Sequence, residues 1–481
     1  MHTHHPILEQ LQAPLKRIKP AALAVALSGL TMAAQQVGAT VSAPALQAVA
    51  APYYGARADV EGLAQHGYVE AQFFVNGRAQ KYKQSGSWAS DGKWNASVAS
   101  SGNPYSTLLI VRRPSDPAKF NGVVLVEWLN VSTGYPLDVD WGMAREEIVR
   151  EGYAYIGINA QKEGITGIQK LKQFGDLYKP GSIPDDKLAF DIFSQAGKAV
   201  RDQAAVLLGP LQPKVVIATG HSQSAAAMVT YANAVQPLES VFDGFLIHGR
   251  GLTGLKLSSS DNIPLSASLR ADTTVPIFMI QTEWDINLGG ATSKQVDTSK
   301  LRHWEVAGTS HADQYLLDNI ALVSQREVGW TPPACKRPYN SAPFYLVENA
   351  AIHQLKNWIV DGTAPSVAPR LQRDFFGSIK KDADGNALGG LRLPDLDAPI
   401  AKYGVSNSTT GSLAFLDIFA CVAGGSTTPF TAAKLNSLYP THDDYVRKYK
   451  AAADSAVAKG HILAVDRDAV VLKASQAAIP K

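Results

Sequence analysis

Val215-Val216-Ile217-Ala218-Thr219-Gly220-His221-Ser222-Gln223-Ser224-Ala225-Ala226-Ala227 runs from an apolar, β-branched stretch into an alanine-rich one, with a serine at the junction. The first half reads as a buried strand and the second as a helix. Ser222 therefore falls in the tight turn between them. Such a turn lifts a serine hydroxyl off the end of a sheet, and small neighbours permit the strained backbone it needs. The common form is G-x-S-x-G. Here Ser224 takes the place of the second glycine, and the alanines behind it let the helix lie close to the strand. A serine that merely caps a helix would not require an apolar strand leading into it. The reading is that Ser222 is a nucleophile.

Working outward, Val123–Leu129 is an apolar run of the kind found in strands covered on both faces. Asp140–Arg150 reads as a helix, Tyr153–Ile158 as a strand and Ala189–Leu208 as a long amphipathic helix. The helix opened by the serine turn is expected over Ser222–Ala234. Gly244–His248, Val275–Gln281 and Leu301–Val306 read as further strands, and Pro343–Val360 as a helix. Strand–helix alternation at this spacing predicts an α/β fold with a mostly parallel, doubly wound sheet. Residues 52–118 form a β-rich lead-in, with a strand at Gly67–Val75, a turn expected at Asn76-Gly77 and a second strand at Ser106–Val111. Core and lead-in together are expected over residues 52–361, with 362–481 as a C-terminal extension packing on the core. Asp382-Ala383-Asp384-Gly385-Asn386 lacks the later ligands of a calcium loop and reads as a hairpin turn.

A serine hydroxyl needs a base to take its proton, and the base needs an acid to orient it. After a strand–turn–helix serine the expected chain order is serine, acid, histidine. His311, in the loop past Leu301–Val306, is the candidate base. Thr282-Glu283-Trp284-Asp285 follows the preceding strand and offers two carboxylates. Asp285 is the favoured acid, with Glu283 the alternative; the one not used is expected to support the loop. Donors for a developing oxyanion are expected from the backbone of Gln223 and from the loop Leu129-Asn130-Val131, where the Asn130 side chain could also donate.

The segments Val126-Glu127-Trp128-Leu129-Asn130-Val131-Ser132, Gly220-His221-Ser222-Gln223-Ser224, Trp304-Glu305-Val306-Ala307-Gly308-Thr309-Ser310-His311-Ala312-Asp313 and Gly389-Gly390-Leu391-Arg392-Leu393-Pro394 together resemble a largely uncharacterised bacterial family of the α/β-hydrolase superfamily. The resemblance covers about residues 52–440. It implies a serine hydrolase fold, with esterase activity as the usual expectation, and leaves the substrate open. The use of Ser224 for the second glycine belongs to that family's pattern.

Composition narrows the classes further. The 481 residues carry 45 Lys and Arg against 42 Asp and Glu, a formal charge of +3. That near-neutral balance offers no footprint for nucleic acid. No phosphate loop, dinucleotide fingerprint or metal-ligand spacing occurs, so no cofactor is expected, and the expected partner is a small-molecule ester. Lys16, Arg17 and Lys19 precede the 14-residue apolar run Ala21–Ala34, and Val37-Gly38-Ala39 follows. This predicts an export signal over residues 1–39, a periplasmic or secreted protein and no stable membrane anchor. Cys335 and Cys421, the only cysteines, are candidates to pair in an oxidising compartment. The segment between the strands at 244–248 and 275–281 is too short for a large cap, so the loop at about 160–187 and the C-terminal 120 residues are expected to roof the pocket. An acyltransferase, in which an alcohol replaces water, and a catalytically silent binding protein are the competing readings.

Overall fold

The computed structural model describes residues 43–49, 53–288, 295–411 and 414–479; the expected export signal lies outside them. Nine strands form one sheet: β1 (Ala45–Ala48), β2 (Tyr68–Ser85), β3 (Asn95–Pro114), β4 (Val123–Trp128), β5 (Ala154–Ile158), β6 (Val215–His221), β7 (Gly244–His248), β8 (Ile277–Thr282) and β9 (Leu301–Val306). The order is β1-β2-β3-β5-β4-β6-β7-β8-β9. β1 to β3 pair antiparallel and β4 to β9 are parallel. Every residue of β4 and β6 is buried, as expected of central strands covered on both faces. The chain is an α/β protein with a mostly parallel mixed sheet.

The lead-in differs from expectation in one respect. Asn76-Gly77 is not a turn: β2 continues through it, with Asn76 opposite Ser106 and Gly77 opposite Tyr105. The glycine serves close packing instead. A Cβ there would lie 2.6 Å from both Gln195 Oε1 and Tyr105 Cε1. The hairpin closes further on, between Ser85 and Asn95.

Helices cover both faces. α1 (Val139–Arg150), α2 (Ala189–Asp202), α3 (Gln223–Thr230), the short α4 (Glu283–Leu288), α5 (Gln314–Val328), α6 (Tyr345–Asp361), α7 (Phe415–Gly424), α8 (His442–Ala458) and α9 (Ala464–Ser475) follow in order. Alternation along the central strands sends Val124, Val126, Val216 and Ala218 to a core shared with α2 and α3. Val123, Leu125, Val215 and Ile217 go to the opposite core, with α1, α5 and α6. That second core also takes in Leu391, Leu393, Leu435, Tyr445 and Val470, so the C-terminal residues are built into the face bearing α1 and α6. Asp382 to Asn386 form a turn, with Asp382 Oδ1 accepting from the Asp384 and Asn386 N–H groups at 3.0 and 2.9 Å. Cys335 and Cys421 form a disulfide with Cα atoms 5.7 Å apart.

Candidate active site

The turn between β6 and α3 holds Ser222 at φ 61° and ψ −117°. Ser222 and Ser240 are the only non-glycine residues with positive φ among those described. Strain of this kind costs about 1–3 kcal/mol and persists only where the surroundings impose it. Here the Ser222 N–H donates to the carbonyl of His248 at the end of β7 (3.1 Å), and the Ser222 carbonyl accepts from Ala226 N–H (3.1 Å). A Cβ on Gly220 would be tight, 3.0 Å from the Cβ of the buried Ser224, so the neighbour would have to shift.

Three residues, Ser222 from the turn itself, Asp285 from the short α4 and His311 from the loop after β9, meet here. Ser222 Oγ lies 2.9 Å from His311 Nε2, and His311 Nδ1 lies 2.6 Å from Asp285 Oδ1. The other Asp285 oxygen accepts from Thr282 N–H (2.9 Å) and Thr282 Oγ1–H (2.7 Å). Both carboxylate oxygens are thereby fixed. Glu283 is fully buried and turned to other partners: Oε2 accepts from Gly308 N–H at 2.8 Å and Oε1 pairs with Lys381 Nζ. It ties the start of α4 to the loop after β9. Trp284 packs on the His311 ring at 4.8 Å between centroids.

A second polar layer lies behind, which the sequence reading did not single out. The His221 ring stands between those of His311 and His248, 4.4 Å from each. Burial, with His311 and His248 alongside, holds His221 well below 6.5, so it is neutral. His248 goes the other way. Burial opposes its charge, but Glu348 and Asp140 pair with it and hold it well above 6.5. Asp140 meets Nε2 and Glu348 meets Nδ1, the latter at 3.2 Å. The two carboxylates thus flank the ring, one at each nitrogen. Among the described residues a second grouping of ligand-type atoms, Glu147, Glu151 and His353, is engaged with Arg150 and Lys356. Gly249, at φ +63°, makes room for these rings: a Cβ there would fall 2.7 Å from His221 Nε2 and 3.2 Å from His311 Cε1.

In the loop after β4, Leu129 N–H donates to the Ile158 carbonyl, Asn130 N–H to the Leu137 carbonyl, and Ser132 N–H to Asn130 Oδ1. The Asn130 side-chain amide donates to the His221 carbonyl at 3.1 Å. Of these four backbone amides, Val131 N–H alone has no acceptor among the described residues. Gln223 is the first residue of α3, where an N–H has no intrahelical partner.

A pocket of about 810 Å³, mouth included, opens onto Ser222 and His311. Its walls are the 130–139 loop, α5 with the residues after it, and Leu416, Phe419 and Ala420 of α7. The C-terminal residues thus contribute a wall. The loop at 160–187 does not line it; Ile165, Ile168, Phe174 and Tyr178 pack instead with Phe74 and Leu108.

A mostly parallel sheet that carries a serine on a strained strand–helix turn, with an acid and a histidine following later strands, is the arrangement of α/β hydrolases. The chain belongs to the family described as Alpha/beta hydrolase domain, whose model matches residues 36–472. No curated protein matches the sequence. Solved structures similar to this chain include a fungal esterase from Rhizomucor miehei, at 11% identity over 64% of this chain and 90% of the other with a TM-score of 0.33. A serine hydrolase without a lid from Xanthomonas campestris is 16% identical over 48% and 91%, with a TM-score of 0.30. A glucuronoyl esterase from Teredinibacter turnerae is 13% identical over 60% and 70%, with a TM-score of 0.27. No helix among the described residues is long and apolar enough to cross a membrane.

Proposed function

We propose that the protein is a serine hydrolase that cleaves carboxylic esters through an acyl-enzyme. The observation that carries this reading is the continuous hydrogen-bond chain Asp285–His311–Ser222, at 2.6 and 2.9 Å, ending on a serine held at φ 61°. Ser222 Oγ attacks the ester carbonyl while His311 Nε2 takes its proton. Asp285 holds the proton on Nδ1 and so leaves Nε2 free to accept. His311 then returns the proton to the leaving alcohol, and water repeats the sequence on the acyl-serine. Glu283 supports the loop by bridging Gly308 N–H and Lys381. For the oxyanion, Gln223 N–H is the first donor and Val131 N–H the second. Asn130 shapes that loop, because its backbone N–H is already given to Leu137 and its side chain to His221.

A disulfide and the charge pattern of residues 16–39 support an exported protein, since disulfides persist in oxidising compartments. The test of the central reading is labelling with a fluorophosphonate, followed by peptide mapping. Label on Ser222, together with loss of ester turnover in Ser222→Ala while its thermal midpoint is kept, is the expected result. A Ser222→Ala protein with wild-type turnover refutes it.

A further inference from the structure

The pocket beside Ser222 has a chemical character of its own. Among the described residues that line it there is no Lys, Arg, Asp or Glu. One wall is a single stripe of α5, with Leu316, Ile320, Ser324 and Val328 spaced four apart. The facing wall is α7, whose Leu416, Phe419 and Ala420 point to the same space. The Phe419 ring comes within 6.2 Å of the His311 ring between centroids, so the apolar wall begins at the reacting atoms.

The helix α7 is also tied down at several points. Cys421 joins Cys335. Asp417 accepts from Trp330 Nε1 at 3.1 Å, linking the two walls. The carbonyls of Ala423 and Gly424 accept from Ala312 N–H and Ser310 Oγ–H, at 3.0 Å each, on either side of His311. The roof and the histidine loop are therefore one connected structure. An ionised group entering this space would lose its water and meet no opposite charge, which is strongly unfavourable. An alkyl chain meets mostly apolar wall, with Leu316, Ile320, Val328, Leu416 and Phe419 along it, and each methylene seated is worth about a fourfold gain in kcat/KM.

We propose that this pocket binds an uncharged apolar alkyl or aryl group flanking the scissile ester, beneath a roof helix clamped by the Cys335–Cys421 disulfide. The proposal rests on the ester-hydrolase reading above and adds the substrate class. The group belongs either to the acyl or to the alcohol half of the ester, and two substrate series separate these. One is p-nitrophenyl acetate, butyrate and octanoate; the other is ethyl, butyl and octyl acetate followed by pH-stat. kcat/KM is expected to rise at least tenfold from the shortest to the longest member of one series, which identifies the half that enters. A member of that series ending in a carboxylate is expected to fall at least tenfold below its uncharged counterpart. Flat profiles in both series, or a charged member as good as the neutral one, overturn the proposal.

Ile320→Asp and, separately, Leu416→Asp are expected to lower the long-to-short ratio at least tenfold from opposite walls. An unchanged ratio in either variant that still labels with a fluorophosphonate overturns the placement. If one fails to fold, as shown by loss of labelling, the other carries the test. Reduction of the disulfide in the wild-type protein is expected to lower the same ratio, and an unchanged ratio after confirmed reduction overturns the clamp. Absence of Ser222 labelling in the wild type counts against the hydrolase reading itself, whereas labelling with flat series counts against this inference alone.

Discussion

Asp285 and Glu283 stand two residues apart on the same short helix, and exchanging each carboxylate for its amide asks which one serves His311. In the Asp285→Asn protein the amide oxygen keeps the Thr282 donors, because Thr282 N–H and Oγ1–H both require an acceptor. That orientation turns the NH2 group toward His311 Nδ1. The ring must then accept at Nδ1 and carry its proton on Nε2, where it can no longer take one from Ser222. The expected loss in turnover is about 10⁴-fold, or roughly 5.5 kcal/mol of barrier. Glu283→Gln keeps an acceptor for Gly308 N–H and loses only the ion pair with Lys381, whose side chain is 36% exposed. We expect about 1–3 kcal/mol of lost stability and turnover within about tenfold of wild type. The assay is kcat on one activated ester at fixed pH, with thermal midpoints measured alongside. Near-complete loss in Glu283→Gln with Asp285→Asn active would reverse the assignment.

Three further outcomes follow from the structure. Gly249→Ala puts a methyl group against His221 and His311 at φ +63°; a displacement of about 1 Å in the base can cost about 10²-fold, so turnover at wild-type levels in the folded variant would contradict the packing argument. Replacing both cysteines by serine opens a loop of 86 residues and is expected to cost about 4–5 kcal/mol by chain entropy, read as a lower denaturation midpoint than that of the oxidised protein; equal midpoints would refute it. Burial raises Asp313 from 3.8 to about 7, so the folded state holds a proton that the unfolded chain has released. Its contribution is therefore present below about pH 4 and lost as pH rises toward 7, by up to about 4 kcal/mol. Asp313→Asn should flatten the fall in denaturant midpoint between pH 5 and 8, and an unaltered slope would sink the idea.

How far the fold was legible follows from where its information sits. β4, β6, β7 and β8 were readable because strands buried on both faces must be largely apolar, and a run such as Val215–Thr219 has no helical alternative of comparable length. The lead-in was harder. Asn-Gly is a strong local turn signal, yet at Asn76-Gly77 the pairing of β2 with β3 outweighs it, and the glycine answers to Tyr105 and Gln195, which are 28 and 118 positions away. Helix ends were similarly decided at long range. The pattern through Ala189–Leu208 is continuous in sequence, but the chain leaves α2 at Asp202 and resumes with a separate turn at Ala204–Leu207.

The candidate site divides the same way. Ser222, Asp285 and His311 each follow a strand of the parallel sheet, and the C-terminal ends of those strands share one edge. Chain order therefore translates directly into proximity, and the sequence could nominate all three. The layer behind them has no such rule. Asp140, His248 and Glu348 come from α1, the end of β7 and α6, about 100 residues apart, and each alone looks like an ordinary polar residue in an amphipathic pattern. Only the packing of α1 and α6 against the same sheet face brings them together. Once assembled, His248 and the neutral His221 leave little freedom for the ring of His311, because His221 packs tilted between the other two rings with centroids 4.4 Å from each and Gly249 offers no slack. The orientation of His311 is thus set from two sides, by Asp285 at Nδ1 and by a ring layer that rests on buried carboxylates. A change in that ring layer should act on catalysis through the position of His311, with no contact to the substrate required.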